Sequence, residues 1–263
     1  MAFRLVIVGG GKMGDALLSG LLAGDWCAPG EVAVVEADEP RRDELAGLRP
    51  GVHVSDVVPP ADGAVIAVKP ADVATACQAV ADAGVARVLS IAAGVRIGQL
   101  ESWLAPKTAV IRAMPNTPAL IGAGAAAIAP GSAASEDDLA WAEGILRAVG
   151  VVERVDEPLL DAVTGLSGSG PAYVFLVAEA LIEAGVHAGL PRPTSRALVV
   201  QTLVGSARLL AESGDDPEQL RAAVTSPGGT TAAGLRVLEG RAVHGAIVDA
   251  VLAATERSRE LGS

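Results

Sequence analysis

The sequence contains few aromatic residues: 2% of its 263 residues are Phe, Trp or Tyr, although 51% are hydrophobic. The core must therefore be built from Ala, Val, Leu and Ile, which pack as helices on sheets or as helices on helices. A chain of this length is sufficient for two modest domains or one large one.

Cysteine and histidine are also scarce, and the few that occur are not arranged as metal ligands. Cys27 and Cys77 have neither metal-binding nor redox spacing, and the three histidines are scattered along the chain. A structural or catalytic zinc site is therefore not expected, and we assign no residue as a metal ligand.

Basic residues are outnumbered, with 20 Lys and Arg against 31 Asp and Glu, which gives a net charge of −11. A surface this negative repels phosphate backbones, so nucleic acid is not an expected partner. The first apolar run begins at once and breaks at Gly9, which is typical of a strand and not of a signal peptide. The most apolar later stretch, 172–186, contains two glutamates and is too short to cross a bilayer. We therefore expect a cytoplasmic protein with a small-molecule substrate and no membrane partner.

Residues 1–155 alternate short β-rich runs with Ala-rich helical runs. Strands are predicted over 3–8, 31–36, 63–68, 87–92 and 108–113, and helices over 15–23, 40–48 and 71–81. Strands that alternate with helices indicate βαβ units and a parallel sheet. Further edge strands over 124–128 and 151–154 would flank a helix at 136–149. The pattern predicts an α/β Rossmann-type N-terminal domain over residues 1–155.

Strand signals end near Asp156, and long helical stretches follow. Helices are predicted over 171–188, 193–212, 217–224, 229–239 and 242–261, each with Gly or Pro near its start. Several are apolar on most faces, and such helices must be buried, yet about 110 residues have too little interior to bury them all. We therefore predict an all-α C-terminal domain over 156–263 that forms a homodimer.

The segment after the first predicted strand fits the pattern GxGxxG through Gly9, Gly11 and Gly14. In this pattern the first glycine makes a tight turn, the second lets the backbone approach a pyrophosphate, and the third lets helix and strand pack closely. The helix that begins near Lys12 and Met13 would present its positive end to the anion.

An acidic residue, Glu36, ends the next predicted strand 22 residues after Gly14, where a ribose-binding acid is expected. The glycine pattern alone is weak in a chain with 31 glycines, and a glycine-rich turn without a ligand is the alternative. The strand before it, the helix after it and the acid together favour a nicotinamide dinucleotide, NADH or NADPH.

Two further strand ends are candidates for the same site, because ligands of such sheets bind at the carboxyl ends of the strands. Val68, Lys69 and Pro70 end the third predicted strand, and Ala93 and Gly94 follow the fourth. A solvated loop lysine and an ordinary strand–loop junction are the alternatives for these two segments.

The loop after the fifth predicted strand contains Asn116 between Pro115 and Pro118. Two prolines stiffen the loop, and the Asn side chain offers both a hydrogen-bond donor and an acceptor. A stiff polar loop at a strand end is a candidate substrate site, and we assign Asn116 to substrate binding.

The strongest pattern in the C-terminal half is a turn that leads into a helix over 225–235. It contains hydroxyls at Ser226, Thr230 and Thr231 and backbone N–H groups around Gly228 and Gly229. N–H groups and hydroxyls in this arrangement could bind a carboxylate. A helix N-cap without a ligand is the alternative.

Taken in order, these motifs resemble the pyrroline-5-carboxylate reductase family. The resemblance covers nearly the whole chain and includes the glycine pattern at 9–14, Ala-Val-Lys-Pro at 67–70, Ala-Ala-Gly-Val at 92–95, the segment 112–118, the segment 165–173 and, most specifically, 225–235. It implies reduction of the cyclic imine 1-pyrroline-5-carboxylate to L-proline, the last step of proline biosynthesis.

The resemblance also implies roles for residues of the C-terminal turn and a mode of assembly. Ser226 and the N–H groups around Gly229 and Thr230 would bind the substrate carboxylate, and Thr231 would hydrogen-bond the ring nitrogen. It further implies interlocked dimers, often assembled into decamers, in which the 225–235 turn of one subunit completes the site of the other. The family commonly prefers NADPH, whereas Glu36 would bond a free 2′-hydroxyl and repel a 2′-phosphate, so Glu36 argues for use of NADH.

Three rival functions remain. The first is a β-hydroxyacid dehydrogenase, a class that resembles this chain in plan but uses a lysine on the long helix after the Rossmann domain. The three lysines here, at 12, 69 and 107, all precede that helix, which counts against this rival. A reductase of another cyclic imine carboxylate is harder to separate, and a substrate panel would decide. A non-catalytic dinucleotide sensor would not need the intact 225–231 turn.

Overall fold

An eight-stranded sheet forms the centre of the first part of the chain in the computed structural model, which describes residues 2–262. The strands are β1 (Leu5–Val8), β2 (Val32–Val35), β3 (His53–Ser55), β4 (Ala64–Ile66), β5 (Arg87–Ser90), β6 (Ala109–Met114), β7 (Gly124–Pro130) and β8 (Gly150–Arg154). Their order is β3-β2-β1-β4-β5-β6-β7-β8. The strands β1 to β6 are mutually parallel, and β7 pairs with β6 in the antiparallel direction.

The last two strands correct the picture of two simple edge strands. β7 and β8 pair in parallel with each other, so both run antiparallel to the other six strands. Of these two strands, only β8 lies at an edge of the sheet. The helix between them makes this possible, since a parallel pair needs a crossover connection.

Helices of the first part connect the strands and cover both faces of the sheet. They are α1 (Lys12–Ala23), α2 (Glu39–Leu48), α3 (Val73–Asp82), α4 (Ile97–Trp103), α5 (Glu136–Arg147) and α6 (Leu160–Val163). Because parallel strands are buried on both faces, β1, β2 and β4 read as continuous apolar runs, and every residue in them is buried. Two apolar cores result, one on each side of the sheet.

A π turn over Thr164–Gly168 follows α6, and the remaining helices come after it. They are α7 (Gly170–His187), α8 (Arg192–Ser213), α9 (Pro217–Ala223), α10 (Thr230–Gly240) and α11 (Val243–Leu261). The chain forms two compact units: residues 1–169 together with 253–263, and residues 170–252. The all-α character of this part was predicted and is confirmed.

The helical unit 170–252 buries very little of its apolar surface. Ser195 is its only buried side chain among the described residues, and its hydroxyl donates to the carbonyl of Ile182 over 2.8 Å where α7 and α8 pack. Large apolar side chains stay open instead, with Phe175 66% and Leu176 64% exposed. An apolar surface of this extent is typical of an interface.

The apolar stretch predicted as too short for a bilayer belongs to a longer helical run. The run covers residues 157–187, because α6 and the π turn precede α7, and a stretch of 18 residues within it has a mean hydropathy of 1.3. By length and composition this longer run could cross a membrane, whereas the stretch 172–186 alone is too short. Helices buried in soluble assemblies pass the same test, and this run coincides with part of the exposed surface of α7.

Candidate active site

The turn after β1 can only be made by glycine at its first position. Gly9 has φ of +110°, and its N–H donates to the carbonyl of Val35 over 2.8 Å. A Cβ atom added to Gly9 would lie 2.6 Å from the carbonyl oxygen of Ala67 on the neighbouring strand segment. The positive φ and this close approach therefore both require glycine.

The other two glycines of the pattern have different surroundings. Gly11 is the N-cap of α1, without a side-chain hydrogen bond to the cap, and an added Cβ would meet no atom within 4 Å. Gly14 is buried against the turn, and an added Cβ would collide with the carbonyl oxygen of Gly9. The start of α1 at Lys12 and Met13 therefore lies beside open space at Gly11, where no side chain blocks the backbone. This space suits the pyrophosphate of a dinucleotide.

Glu36 was predicted as the last residue of the second strand; it lies directly after β2, and its carboxylate bonds to the glycine turn. One oxygen accepts the N–H of Gly10 over 2.9 Å, and the other accepts the N–H of Asp38 over 3.0 Å. These two bonds hold the acid at the strand end next to the turn, the position from which a carboxylate can reach ribose hydroxyls.

Two arginines surround this acid. Arg41 donates through Nε to the carbonyl of Gly10 over 2.9 Å, and it forms an ion pair with Glu44 that raises its pKa. Arg42 donates to the carbonyl oxygens of Glu36 (2.9 Å) and Ala37 (2.8 Å). Both guanidinium groups therefore bond to backbone carbonyls at the end of β2 or in the adjacent glycine turn.

The other predicted cofactor residues lie at the same edge of the sheet, because β1, β2, β4 and β5 are parallel neighbours. Val68 is half-buried after β4, and Lys69 and Pro70 are exposed at the start of a short 3₁₀ turn. Ala93 is exposed after β5, and Gly94 has φ of +76°. The structure thus brings all the predicted cofactor-binding segments together at the carboxyl ends of the strands.

Asn116 follows β6 at this edge, but its side chain faces the protein interior. The residue is 9% exposed; its Oδ1 accepts the N–H of Ala125 over 2.8 Å, and its Nδ2 donates to the carbonyl of Ser167 over 3.0 Å. Its assignment to substrate binding stays a prediction, and both ends of its amide are bonded within the protein.

The 225–235 turn lies in the helical unit and leads into α10, as expected. Gly228 has φ of +68°, and Gly229 is the N-cap of α10 with its N–H donated to the carbonyl of Ser226 over 3.0 Å. The Ser226 hydroxyl occupies the space where a Cβ of Gly229 would lie. Thr230 and Thr231 form the exposed first turn of this eleven-residue helix. An exposed helix start with hydroxyls and N–H groups is suited to hold a carboxylate.

Two contacts near the sheet edge were not predicted from the sequence. Arg112 is buried in β6 and pairs with Glu157 at 3.0 Å, and the same carboxylate oxygen accepts the N–H of Ile97 over 2.7 Å. Arg96 donates to the carbonyl of Gly262 over 2.7 Å, which holds the end of α11 against the segment that follows β5. Long sequence separations, 45 and 166 residues, hide both contacts from local patterns.

A surface cavity of about 400 Å³ lies elsewhere, among residues of β7, β8, α5 and the segment after β8, which include Pro130, Arg154 and Asp156. Because β7 and β8 run against the other strands, their carboxyl ends lie at the opposite edge from the glycine turn. This cavity is therefore not part of the candidate site.

The glycine turn, the helix start behind it and the acid on the next strand define a Rossmann-type, NAD(P)-dependent oxidoreductase. A family model described as NADP oxidoreductase, coenzyme F420-dependent, matches residues 4–94. A second, described as pyrroline-5-carboxylate reductase dimerisation, matches residues 157–261.

Known proteins are similar over the whole chain. A pyrroline-5-carboxylate reductase of Synechocystis is 45% identical, with 100% of this chain and 99% of that protein covered. The structure of a pyrroline-5-carboxylate reductase from Coxiella burnetii has a TM-score of 0.93 at 35% identity, with 100% of both chains covered. That of the Plasmodium falciparum pyrroline carboxylate reductase with NADP bound has a TM-score of 0.86 at 30% identity, with 99% and 98% covered. The chain belongs to the pyrroline-5-carboxylate reductase family.

Proposed function

We propose that this chain reduces the cyclic imine 1-pyrroline-5-carboxylate to L-proline with NADH or NADPH, as the last step of proline biosynthesis in the cytoplasm. The observation that carries the proposal is the full-length match at 45% identity in a chain whose 225–235 turn has an exposed helix start. A non-catalytic dinucleotide sensor would not need that turn.

The cofactor would be held along the carboxyl edge of the sheet. Gly9, Gly11 and Gly14, with the backbone at Lys12 and Met13, leave room for the pyrophosphate at the positive end of α1. Glu36 would accept hydrogen bonds from the ribose of the adenosine half. The segments Val68–Pro70 and Ala93–Gly94, which are exposed at Lys69, Pro70 and Ala93, would line the rest of the cofactor. When bound, the reduced nicotinamide supplies the hydride.

The substrate would be held by the 225–235 turn through its carboxylate and its ring nitrogen. Ser226 and the N–H groups near Gly228, Gly229 and Thr230 would bind the carboxylate, and the Thr231 hydroxyl would bond the nitrogen. The imine is basic enough to be largely protonated near neutral pH, so the C=N carbon accepts hydride while the nitrogen keeps its proton. No strong general acid is required, and the protein accelerates the reaction by positioning.

We propose that the chain forms a homodimer through its helical part. The exposed apolar surface of α7 would be the interface, and dimers would associate further into a decamer. The match to the dimerisation family model over 157–261 and the exposure of Phe175 and Leu176 support it. For the cofactor we propose that NADH is used at least as well as NADPH, because an acid stands at the end of β2.

The test is the oxidation of NADH and of NADPH by the purified protein with 1-pyrroline-5-carboxylate, with formation of L-proline measured independently. We expect turnover with both cofactors and one proline per cofactor oxidised. The six-membered cyclic imine carboxylate serves as a parallel substrate. A higher kcat/KM for that compound, or no turnover with either, would contradict the proposed substrate.

A further inference from the structure

The helical run after α6 contains a turn in which the regular helical hydrogen bonds are interrupted. Ser169 donates its N–H to the carbonyl of Thr164 over 2.8 Å, five residues back, which is the bond of a π turn. π turns inside helices occur frequently at functional sites. This one overlaps the 165–173 segment, which has no part in the proposed binding of cofactor or substrate.

The carbonyl of Ser167 cannot be satisfied by the ordinary helical bond. The residue four positions later is Pro171, which has no N–H to donate. Ser167 is half-buried, so its carbonyl needs either water or another donor from the protein. Asn116 supplies it, since its Nδ2 donates to the Ser167 carbonyl over 3.0 Å.

The other end of the same side chain bonds to the sheet. The Oδ1 of Asn116 accepts the N–H of Ala125, the second residue of β7, over 2.8 Å. Asn116 itself follows β6 and precedes the 3₁₀ turn Thr117–Ile121. One buried amide therefore joins the end of β6, the start of β7 and the π turn. Aspartate would lack the donor for Ser167, and an aliphatic side chain would lack both groups.

We propose that Asn116 is a positioning residue for the proposed reductase reaction. Through these two bonds it fixes the Met114–Pro118 loop and the π turn at the carboxyl edge of the sheet, next to the segment that follows β5. This role differs from direct contact with the substrate. It rests on the proposed function for its effect on turnover, whereas the mechanical coupling of β7 to the π turn can be measured without any turnover.

The test uses Asn116→Asp, which keeps the volume and an acceptor but removes the donor to Ser167. Hydrogen exchange of the cofactor-free full-length protein should become faster in peptides covering 122–130 and 160–170. The kcat should fall by about tenfold, because a loop that is no longer held by this bond keeps the reacting groups in the productive geometry for less of the time. The Kd of the product L-proline in the presence of oxidised cofactor should stay within about twofold of the wild-type value.

Ile121→Ala is the matched control, because Ile121 lies in the same 3₁₀ turn and is 83% exposed. It should leave exchange, kcat and proline affinity unchanged. Should Asn116→Asp fail to fold, Asn116→Ser removes both bonds without adding a charge, because its shorter side chain reaches neither partner, and it is expected to show the same pattern at least as strongly.

Three results would overturn the proposal. Unchanged exchange in both peptides would show that the two bonds do not couple these segments. Faster exchange with unchanged kcat would show that the bonds are only structural. A loss of proline affinity as large as the loss of kcat would show direct substrate contact. If the wild type fails to turn over 1-pyrroline-5-carboxylate while Asn116→Asp accelerates exchange, the proposed function fails but the coupling stands.

Discussion

The backbone N–H of Gly10 donates to the carboxylate of Glu36 over 2.9 Å, so the acid at the end of β2 is held against the glycine turn. A carboxylate in this place favours a free 2′-hydroxyl over a 2′-phosphate on the ribose. We therefore expect the wild type to use NADH at least as well as NADPH. Glu36→Gln should shift the kcat/KM ratio toward NADPH by about tenfold, or about 1.4 kcal/mol.

Glu39→Gln is the control for this change, because it removes the same charge from an exposed residue at the start of α2. It should leave the cofactor ratio nearly unchanged. A wild type that strongly prefers NADPH, with a ratio that Glu36→Gln does not move, would instead assign the selection to Arg41 or Arg42.

Two glycines of the turn should respond differently to the same substitution. In Gly14→Ala the new Cβ would collide with the Gly9 carbonyl, so the free energy of unfolding should fall by about 1–3 kcal/mol. In Gly11→Ala the new Cβ meets no atom within 4 Å, and the loss of stability should stay at or below about 1 kcal/mol.

The affinity for NADH should be weakened by the Gly11 substitution, although that substitution costs little stability. Gly11→Ala should raise the Kd of NADH by about tenfold or more, because its Cβ would stand where the pyrophosphate approaches the backbone. Urea unfolding of the cofactor-free protein and titration with NADH measure the two quantities. An unchanged Kd of NADH for Gly11→Ala would contradict the approach of the pyrophosphate to Gly11, and equal losses of stability in both variants would contradict the difference in packing.

Thr231 is predicted to hold the ring nitrogen of the substrate. Thr231→Ala removes the hydroxyl from the first turn of α10 and should lower kcat/KM by about 10- to 100-fold, as expected for a hydrogen bond of roughly 1.5–3 kcal/mol to a group that changes charge. Thr231→Ser keeps the hydroxyl and should retain most activity.

Stability separates this role from that of a helix cap. A residue that only stabilises the start of α10 would cost about 1 kcal/mol of unfolding free energy on replacement by Ala, with little change in turnover. A less stable Thr231→Ala protein with wild-type kcat/KM would therefore remove Thr231 from the mechanism.

The helical part is predicted to fold only as a dimer. Large side chains such as Phe175, Leu176 and Leu198 are 56% to 66% exposed in the single chain, and a partner must cover them. Unfolding should thus depend on protein concentration. Sedimentation is the measurement, and a stable folded monomer at nanomolar concentration would contradict the prediction.

Cys77 is predicted to be chemically inert in the native protein. Burial in α3 raises the pKa of its thiol to about 11, so at pH 8 the reactive thiolate is nearly absent. A thiol reagent should label Cys77 only after unfolding. Because the folded pKa is raised, the folded state also loses stability relative to a Cys77→Ala variant as the pH rises from about 9 to about 11. Rapid labelling of the folded protein at pH 8 would contradict this.

Most elements could be predicted because local signals mark them. The helix α8 was predicted over 193–212 and runs over Arg192–Ser213, since Pro and Gly bracket it. The strand β3 and the helix α4 were missed, because β3 has three residues and no buried side chain, and α4 has only seven residues. Short elements give too few positions for a period to be recognised.

Local chemistry therefore determined the class of this protein. The glycine pattern over 9–14 can be recognised because its three glycines lie within one short segment, and the 225–235 turn is likewise one continuous segment. The tertiary structure decided the direction of β7 and β8 and the contacts of Asn116. Its partners, Ala125 and Ser167, lie 9 and 51 residues away, and only the packing of strand β7 and the π turn around one amide brings them within hydrogen-bonding distance.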